Sequence, residues 1–130
     1  MKLRLKIVAM LALFGAPAFA EDITPDVETG ANTYKQYCSH CHGLNMVNAG
    51  TTTYDLRKYP TDDPTGFFAS VRDGKGDMPA WGDILYPEEI HAIWVYVATR
   101  AGQQSFSQEA QVPPEVLNPE PTGETDENAG

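Results

Sequence analysis

Residues 38–42 read Cys38-Ser39-His40-Cys41-His42, and they hold both cysteines of the 130-residue chain and two of its three histidines. Three chemistries use such a cluster: a dithiol redox switch, a zinc site, or covalent attachment of haem. A thioredoxin-like Cys-x-x-Cys belongs in a βαβ setting, and no run in this chain has the alternating β-branched pattern of a strand. A disulfide between Cys38 and Cys41 would close a tiny loop and stabilise little. Zinc takes four converging ligands, usually as two separated pairs. Here the candidates crowd into five residues, with only His91 elsewhere. Haem attachment takes what is present: two thiols three positions apart for two vinyl groups, then a histidine for the iron. On this reading Cys38 and Cys41 carry one covalent haem c, and His42 is its proximal ligand. His40 is a spacer facing away from the iron.

Working outward, the N-terminus speaks for compartment. A short basic segment, Met1 to Lys6, leads into an apolar run from Ile7 to Phe14, and Ala18-Phe19-Ala20 precedes Glu21. This is the pattern of a cleavable secretory signal peptide over residues 1–20, its apolar run too short to span a bilayer. Cleavage is expected after Ala20, and the location is expected to be periplasmic. All 18 acidic residues follow Ala20, so losing Lys2, Arg4 and Lys6 with the leader moves the formal net charge from −9 to near −12. A surface this acidic repels nucleic acid and anionic membranes and permits a basic protein partner.

The C-terminal stretch differs in composition. Residues 103–130, QQSFSQEAQVPPEVLNPEPTGETDENAG, hold four prolines and six acidic residues with no lysine or arginine. Such a segment buries too little apolar surface to offset chain entropy. A disordered or loosely draped acidic tail is expected, whose removal after Gly102 costs little stability. Residues 21–102 then form one domain, with about 80 residues to fold, a core that benefits from a macrocycle packed at its centre. A monomer is the default expectation.

Three helices can be placed in that domain, and the fold class is all-α. The first runs from Pro25 or Val27 to Cys38, with Ala31, Tyr34 and Cys38 at helical spacing. Gly30 offers bare backbone for close approach of another helix. The second starts at Asp63 as N-cap with Pro64 first in the helix. It shows Phe67, Phe68 and Val71 on one face and stops at Gly74. The third starts near Pro87, where Tyr86 is a poor N-cap, and carries Glu88 and Glu89 in its first turn. It continues through Ile90, Ile93, Trp94 and Val97 to Arg100, ending at Gly102.

With these elements placed, residues 27–102 resemble a small single-haem class I cytochrome c. The likeness rests on a first helix running into Cys-x-x-Cys-His-Gly, a loop carrying Met78-Pro79, and an aromatic-bearing last helix. It implies crossing terminal helices, with Gly30 and Tyr34 of the first meeting Trp94 and Tyr96 of the last. It implies Met78, in Gly74-Lys75-Gly76-Asp77-Met78-Pro79, as the distal iron ligand. Met46 is only four residues from His42, at most about 14 Å of extended chain, and is assigned to core packing. His91 on the last helix is the weaker distal candidate. Pocket candidates are Leu56, Phe67, Val71, Trp81 and Ile93, with Arg57 and Trp81 as hydrogen-bond donors to the haem propionates.

Two filled axial positions imply a one-electron carrier and no enzyme, because a six-coordinate iron has no open site for substrate. The alternative from another class is a haem enzyme or sensor in which Met78 leaves the distal site vacant. Asp55-Leu56-Arg57, Gly74-Lys75-Gly76, Met78-Pro79 and Trp81-Gly82-Asp83 are further similar to small periplasmic cytochromes (cytochrome cL-like) that accept electrons from PQQ-dependent alcohol dehydrogenases. That resemblance implies such a dehydrogenase as donor and a terminal oxidase or second cytochrome as acceptor. The competing role is a general carrier fed by a bc1-type complex.

Overall fold

Asp26 nucleates the first helix: its carboxylate accepts the Thr29 N–H at 2.6 Å, satisfying one of the donors a helix start leaves unpaired. In the computed structural model, which describes residues 25–48 and 53–118, α1 follows over Val27–Tyr37. A four-residue turn, α2 (Ser39–His42), comes next, then α3 (Pro64–Asp73), α4 (Pro87–Ala98) and a short α5 (Pro114–Leu117). Short 3-10 turns lie at Leu44–Met46 and Leu56–Lys58. The only β pairing among the described residues is an isolated bridge between Lys75 and Met78, so the architecture is all-α. The expected leader, residues 1–20, lies outside the described residues.

The helix limits follow from local chemistry. Asp63 accepts the Gly66 N–H at 2.9 Å, Pro64 opens α3, and Gly74 at φ +79 closes it. For α4 the poor N-cap is offset by Glu89, whose carboxylate takes the Tyr86 N–H at 2.9 Å and so supplies half of a capping box. At the far end Arg100, Ala101 and Gly102 all lie in left-handed backbone, with φ of 53°, 62° and 80°. The Ala101 N–H reaches back to the Tyr96 carbonyl at 2.9 Å, and the chain reverses.

Helices α1 and α4 cross at Gly30. A Cβ there would sit 2.0 Å from the Ala92 carbonyl oxygen and 2.9 Å from the Tyr96 Cβ, so only glycine permits the approach. Beside it the Tyr34 and Tyr96 rings meet at 5.1 Å. Trp94 does not join this crossing, contrary to expectation. Positions 92 and 96 are one turn apart on the same face, whereas 94 lies about 200° around the helix from 92. Its ring packs instead on Phe67 at 5.0 Å and Tyr59 at 5.9 Å.

The loose-tail expectation fails for residues 103–118. Every residue from Ala92 to Ala98 is buried, so α4 needs cover all round. Helices α1 and α3 supply part of it, and the segment after Gly102 supplies the rest. Ala110 and Val112 are buried, and Phe106, Val116 and Leu117 pack against the same core. The Ala110 carbonyl accepts the Trp94 indole N–H at 2.7 Å inside that contact. Average composition concealed five apolar residues spaced along a polar background, enough to form a strap. Residues 119–130 of the expected tail lie outside the described residues.

Candidate cofactor site

The Cys-x-x-Cys-His stretch sits where α1 hands over to α2. The Cys38 N–H still donates to Tyr34 at 2.8 Å, and the His42 N–H donates to Cys38 at 2.9 Å. One helical turn therefore separates the two cysteines and brings their side chains to the same side. Gly43 breaks the turn at φ +81, where a Cβ would lie 2.0 Å from the Val47 carbonyl oxygen. The Tyr34 hydroxyl donates to the Gly43 carbonyl at 2.8 Å and fixes the turn against α1.

Both cysteines are thiols rather than a disulfide, Cys38 half-buried and Cys41 exposed. Burial, then the neighbouring Cys41, pushes the Cys38 thiol up to about 12. A reactive dithiol switch needs a depressed value, so this burial speaks against the redox-switch reading. Among the described residues no three His, Cys, Asp or Glu side chains converge as a metal site, so the zinc reading finds no support there.

His42 Nδ1 lies 3.1 Å from the Tyr54 carbonyl oxygen. A carbonyl only accepts, so Nδ1 carries the proton and the lone pair sits on Nε2, the arrangement of a metal-binding imidazole. Burial holds the ring's pKa below its usual value, with the Tyr54 carbonyl opposing the shift, and the neutral ligand form is favoured.

Met78 arrives from the other side on a braced loop. Lys75 and Met78 exchange backbone hydrogen bonds, both 3.1 Å, around Gly76-Asp77. Beyond Met78, the Trp81 and Gly82 N–H groups donate to the last carbonyls of α3, at Val71 (2.9 Å) and Arg72 (3.0 Å).

Cys38, Cys41, His42 and Met78 all line a single cavity of about 660 Å³. That lies within the range of about 300–1,000 Å³ usual for small-molecule and cofactor sites. Leu56, Phe67, Val71, Trp81 and Ile93 line it too, all five of the pocket candidates from sequence. Two thiols, an imidazole with its Nε2 lone pair available and a thioether, set in an apolar cavity, fit a covalently attached haem. A second hollow, about 700 Å³, lies between α1 and Tyr96 and contains none of these four side chains.

Arg57 is not brought to the cavity. Its guanidinium is held by the Asp55 carboxylate two residues away, at 2.8 and 2.9 Å, and its side chain is 48% exposed. The short Asp55–Arg57 spacing closes the pair locally. Trp81 does line the cavity, edge-on to Tyr37 at 5.7 Å. Met46 is fully buried in the core. His91 lies off the cavity beside Phe68, and His40 is exposed.

The sequence reading missed Tyr54, whose carbonyl meets His42 Nδ1, as well as Tyr59 and Arg100. Tyr59 forms cavity wall and meets Tyr54, Phe67 and Trp94 edge to face. Arg100, read only as a helix terminus, donates to the Leu56 and Tyr59 carbonyls across 44 and 41 residues. No local pattern signals a pairing at that separation.

Residues 25–97 match the family described as "Cytochrome C oxidase, cbb3-type, subunit III". The chain is 37% identical over 108 residues to "Cytochrome c6" of Gloeothece citriformis (strain PCC 7424), covering 77% of this chain and 94% of that one. It is also 36% identical over 87 residues to "Quinohemoprotein alcohol dehydrogenase ADH-IIG" of Pseudomonas putida, covering 65% of this chain and 12% of that one. The solved structure of the quinohemoprotein alcohol dehydrogenase ADHIIG from Pseudomonas putida HK5 superposes with a TM-score of 0.53 at 27% identity. The match covers 84% of this chain and 16% of that one.

Proposed function

This chain belongs to the cytochrome c family and carries one covalent haem c as an electron carrier; from that premise we propose its ligands, location and partners. Cys38 and Cys41 hold the haem by thioether bonds, each S–H adding across one vinyl group. His42 and Met78 would supply the imidazole and thioether that hold the iron. The observation that carries this assignment is the convergence of those four side chains on one cavity from two separate segments. When bound, the haem supplies a reversible one-electron change at iron.

The chain's own residues set the conditions for that change. The Tyr54 carbonyl holds the His42 ring in one tautomer. The braced 74–82 loop offers the Met78 thioether, a soft ligand that favours the reduced iron. Leu56, Phe67, Val71 and Ile93 keep the cavity apolar. Were His42 and Met78 both to ligate the iron, no site would be left for a substrate, as in a carrier and unlike an enzyme or sensor.

The protein works in the periplasm after cleavage at Ala20. No described helix is long and apolar enough to cross a membrane. Its donor is a PQQ-dependent alcohol dehydrogenase, a reading supported by the likeness to part of a quinohemoprotein alcohol dehydrogenase. Electrons then pass to a terminal oxidase. The family match to an oxidase subunit equally supports a second role, a general carrier fed by a bc1-type complex. Stopped-flow mixing of the ferric protein with a quinoprotein alcohol dehydrogenase and its alcohol separates the two. Saturable reduction within turnover time is expected. Negligible reduction, alongside fast reduction by a bc1 complex, would overturn the alcohol dehydrogenase as donor.

A further inference from the structure

We propose that Arg100 is a positioning residue that couples the C-terminal strap to the wall of the haem cavity, an inference that rests on the haem reading above. Its part-buried guanidinium donates to three peptide carbonyls. Nη1 reaches Leu56 at 3.3 Å and Val97 at 3.0 Å, and Nη2 reaches Tyr59 at 2.7 Å. Leu56 and Tyr59 both line the cavity, and Val97 belongs to α4, so one planar fork joins the wall to the C-terminal end of α4. The ion pairs among the described residues are Arg57–Asp55 and Arg72–Asp73, and Arg100 spends its donors on peptide oxygens instead. A lysine ammonium offers no such fork.

The backbone of the same residue starts the reversal that launches the strap. Arg100 and Ala101 both adopt left-handed φ, which disfavours any residue with a Cβ. The three side-chain bonds hold Arg100 in that conformation. The reversal is closed by the Gly102 N–H on the Thr99 hydroxyl at 3.0 Å and the Gln104 N–H on the Thr99 carbonyl at 2.8 Å. The strap then presents the Ala110 carbonyl to the Trp94 indole, and the Trp94 ring packs on Tyr59. The contacts form a ring: Arg100 to Tyr59, Tyr59 to Trp94, Trp94 to the strap, and the strap back to Arg100 along the chain.

The function of this ring is to keep the Leu56–Tyr59 wall closed against water. A wetter wall would favour the more highly charged oxidised iron and lower the potential. The test uses full-length holoprotein with Arg100→Met and Arg100→Lys. Two quantities are read: the haem midpoint potential, and hydrogen exchange at the Trp94 indole N–H by NMR. Arg100→Met should lower the potential and speed the exchange by roughly tenfold or more, as local opening becomes easier. Arg100→Lys should move both in the same direction by less.

An unmoved potential in both variants, with only a lower denaturation midpoint, would make Arg100 a stability element and overturn the assignment. So would a lowered potential with unchanged Trp94 exchange, because wall and strap would then be uncoupled. If Arg100→Met does not assemble, Arg100→Lys decides alone, and wild-type behaviour in both readouts overturns the proposal. A wild-type chain without covalent haem would sink the earlier reading instead.

Discussion

The tautomer that suits His42 to the ligand role proposed for it depends on a carbonyl twelve residues away. By accepting a hydrogen bond from Nδ1–H, the Tyr54 carbonyl keeps the proton there and leaves the lone pair on Nε2 for a metal, a matter settled by backbone and not by the motif itself. Replacing Met78 with alanine should abolish the far-red ferric band that reports a methionine–iron bond and open the reduced iron to CO. An unchanged spectrum would remove Met78 from the site. Replacing Cys38 and Cys41 with serine should make the haem extractable by acidified acetone, and retention in the double variant would refute covalent attachment there. That these four side chains would be brought to one cavity was legible because cysteine, histidine and methionine carry their chemistry in the side chain. The arginines were not, because a guanidinium serves whatever it reaches. Arg57 reached Asp55 next door, whereas Arg100 reached carbonyls more than forty residues away. Only the folded chain distinguishes them.

The three long helices were legible from their ends, since capping is local chemistry that survives outside the fold. Asp26 offers a test with a definite sign. Hydrogen bonds from Thr29 hold its carboxyl below the usual carboxylate value, against a smaller opposing effect of burial. Its contribution to stability is therefore complete above the unfolded value of 3.8 and is lost as pH falls through the lower folded value. Asp26→Asn keeps a capping oxygen without the charge, so it should change stability little at neutral pH and flatten that acid limb. Denaturant midpoints followed from pH 7 to pH 2 would check this, and an unaltered limb would place the acid sensitivity elsewhere. The α1–α4 crossing was legible in part. Gly30 and Tyr96 met as expected, but Trp94 faces away because expectation named residues without counting the helix face. Gly30→Ala should cost about 3 kcal/mol, at the upper end of overpacking effects, since the obstructing atom is backbone. Thermal denaturation showing a loss of under about 1 kcal/mol would mean the helices separate easily.

At the scale of the whole molecule, the feature most poorly read from sequence was the strap, because disorder was inferred from average composition while burial depends on where each apolar residue falls. One signal was available: from Ala92 to Ala98 the helix α4 is apolar on every side, and such a stretch requires a third cover beyond α1 and α3. Ending the chain after Gly102 would expose Trp94 and leave its indole N–H without the Ala110 carbonyl. The expected cost is on the order of 3 kcal/mol or more, from the lost apolar burial and one buried hydrogen bond. Chemical denaturation of the truncated holoprotein would measure it, and wild-type stability would show that the strap contributes nothing. The acidity of the molecule bears on a different step, encounter with a partner. The 18 acidic residues face nine basic ones in the full chain and six once a leader ending at Ala20 is removed. Of the basic residues described, Arg57 and Arg72 are paired with Asp55 and Asp73, which further mutes the positive surface. A donor with a basic docking patch would be steered toward this surface at low salt. Raising ionic strength from 0.01 M to 1 M shortens the screening length from about 30 Å to about 3 Å, which should slow bimolecular reduction by 10-fold or more. The same stopped-flow experiment across that range decides it. A rate that rises or stays flat with salt would mean that docking relies on apolar contact and that the negative charge plays no part in recognition.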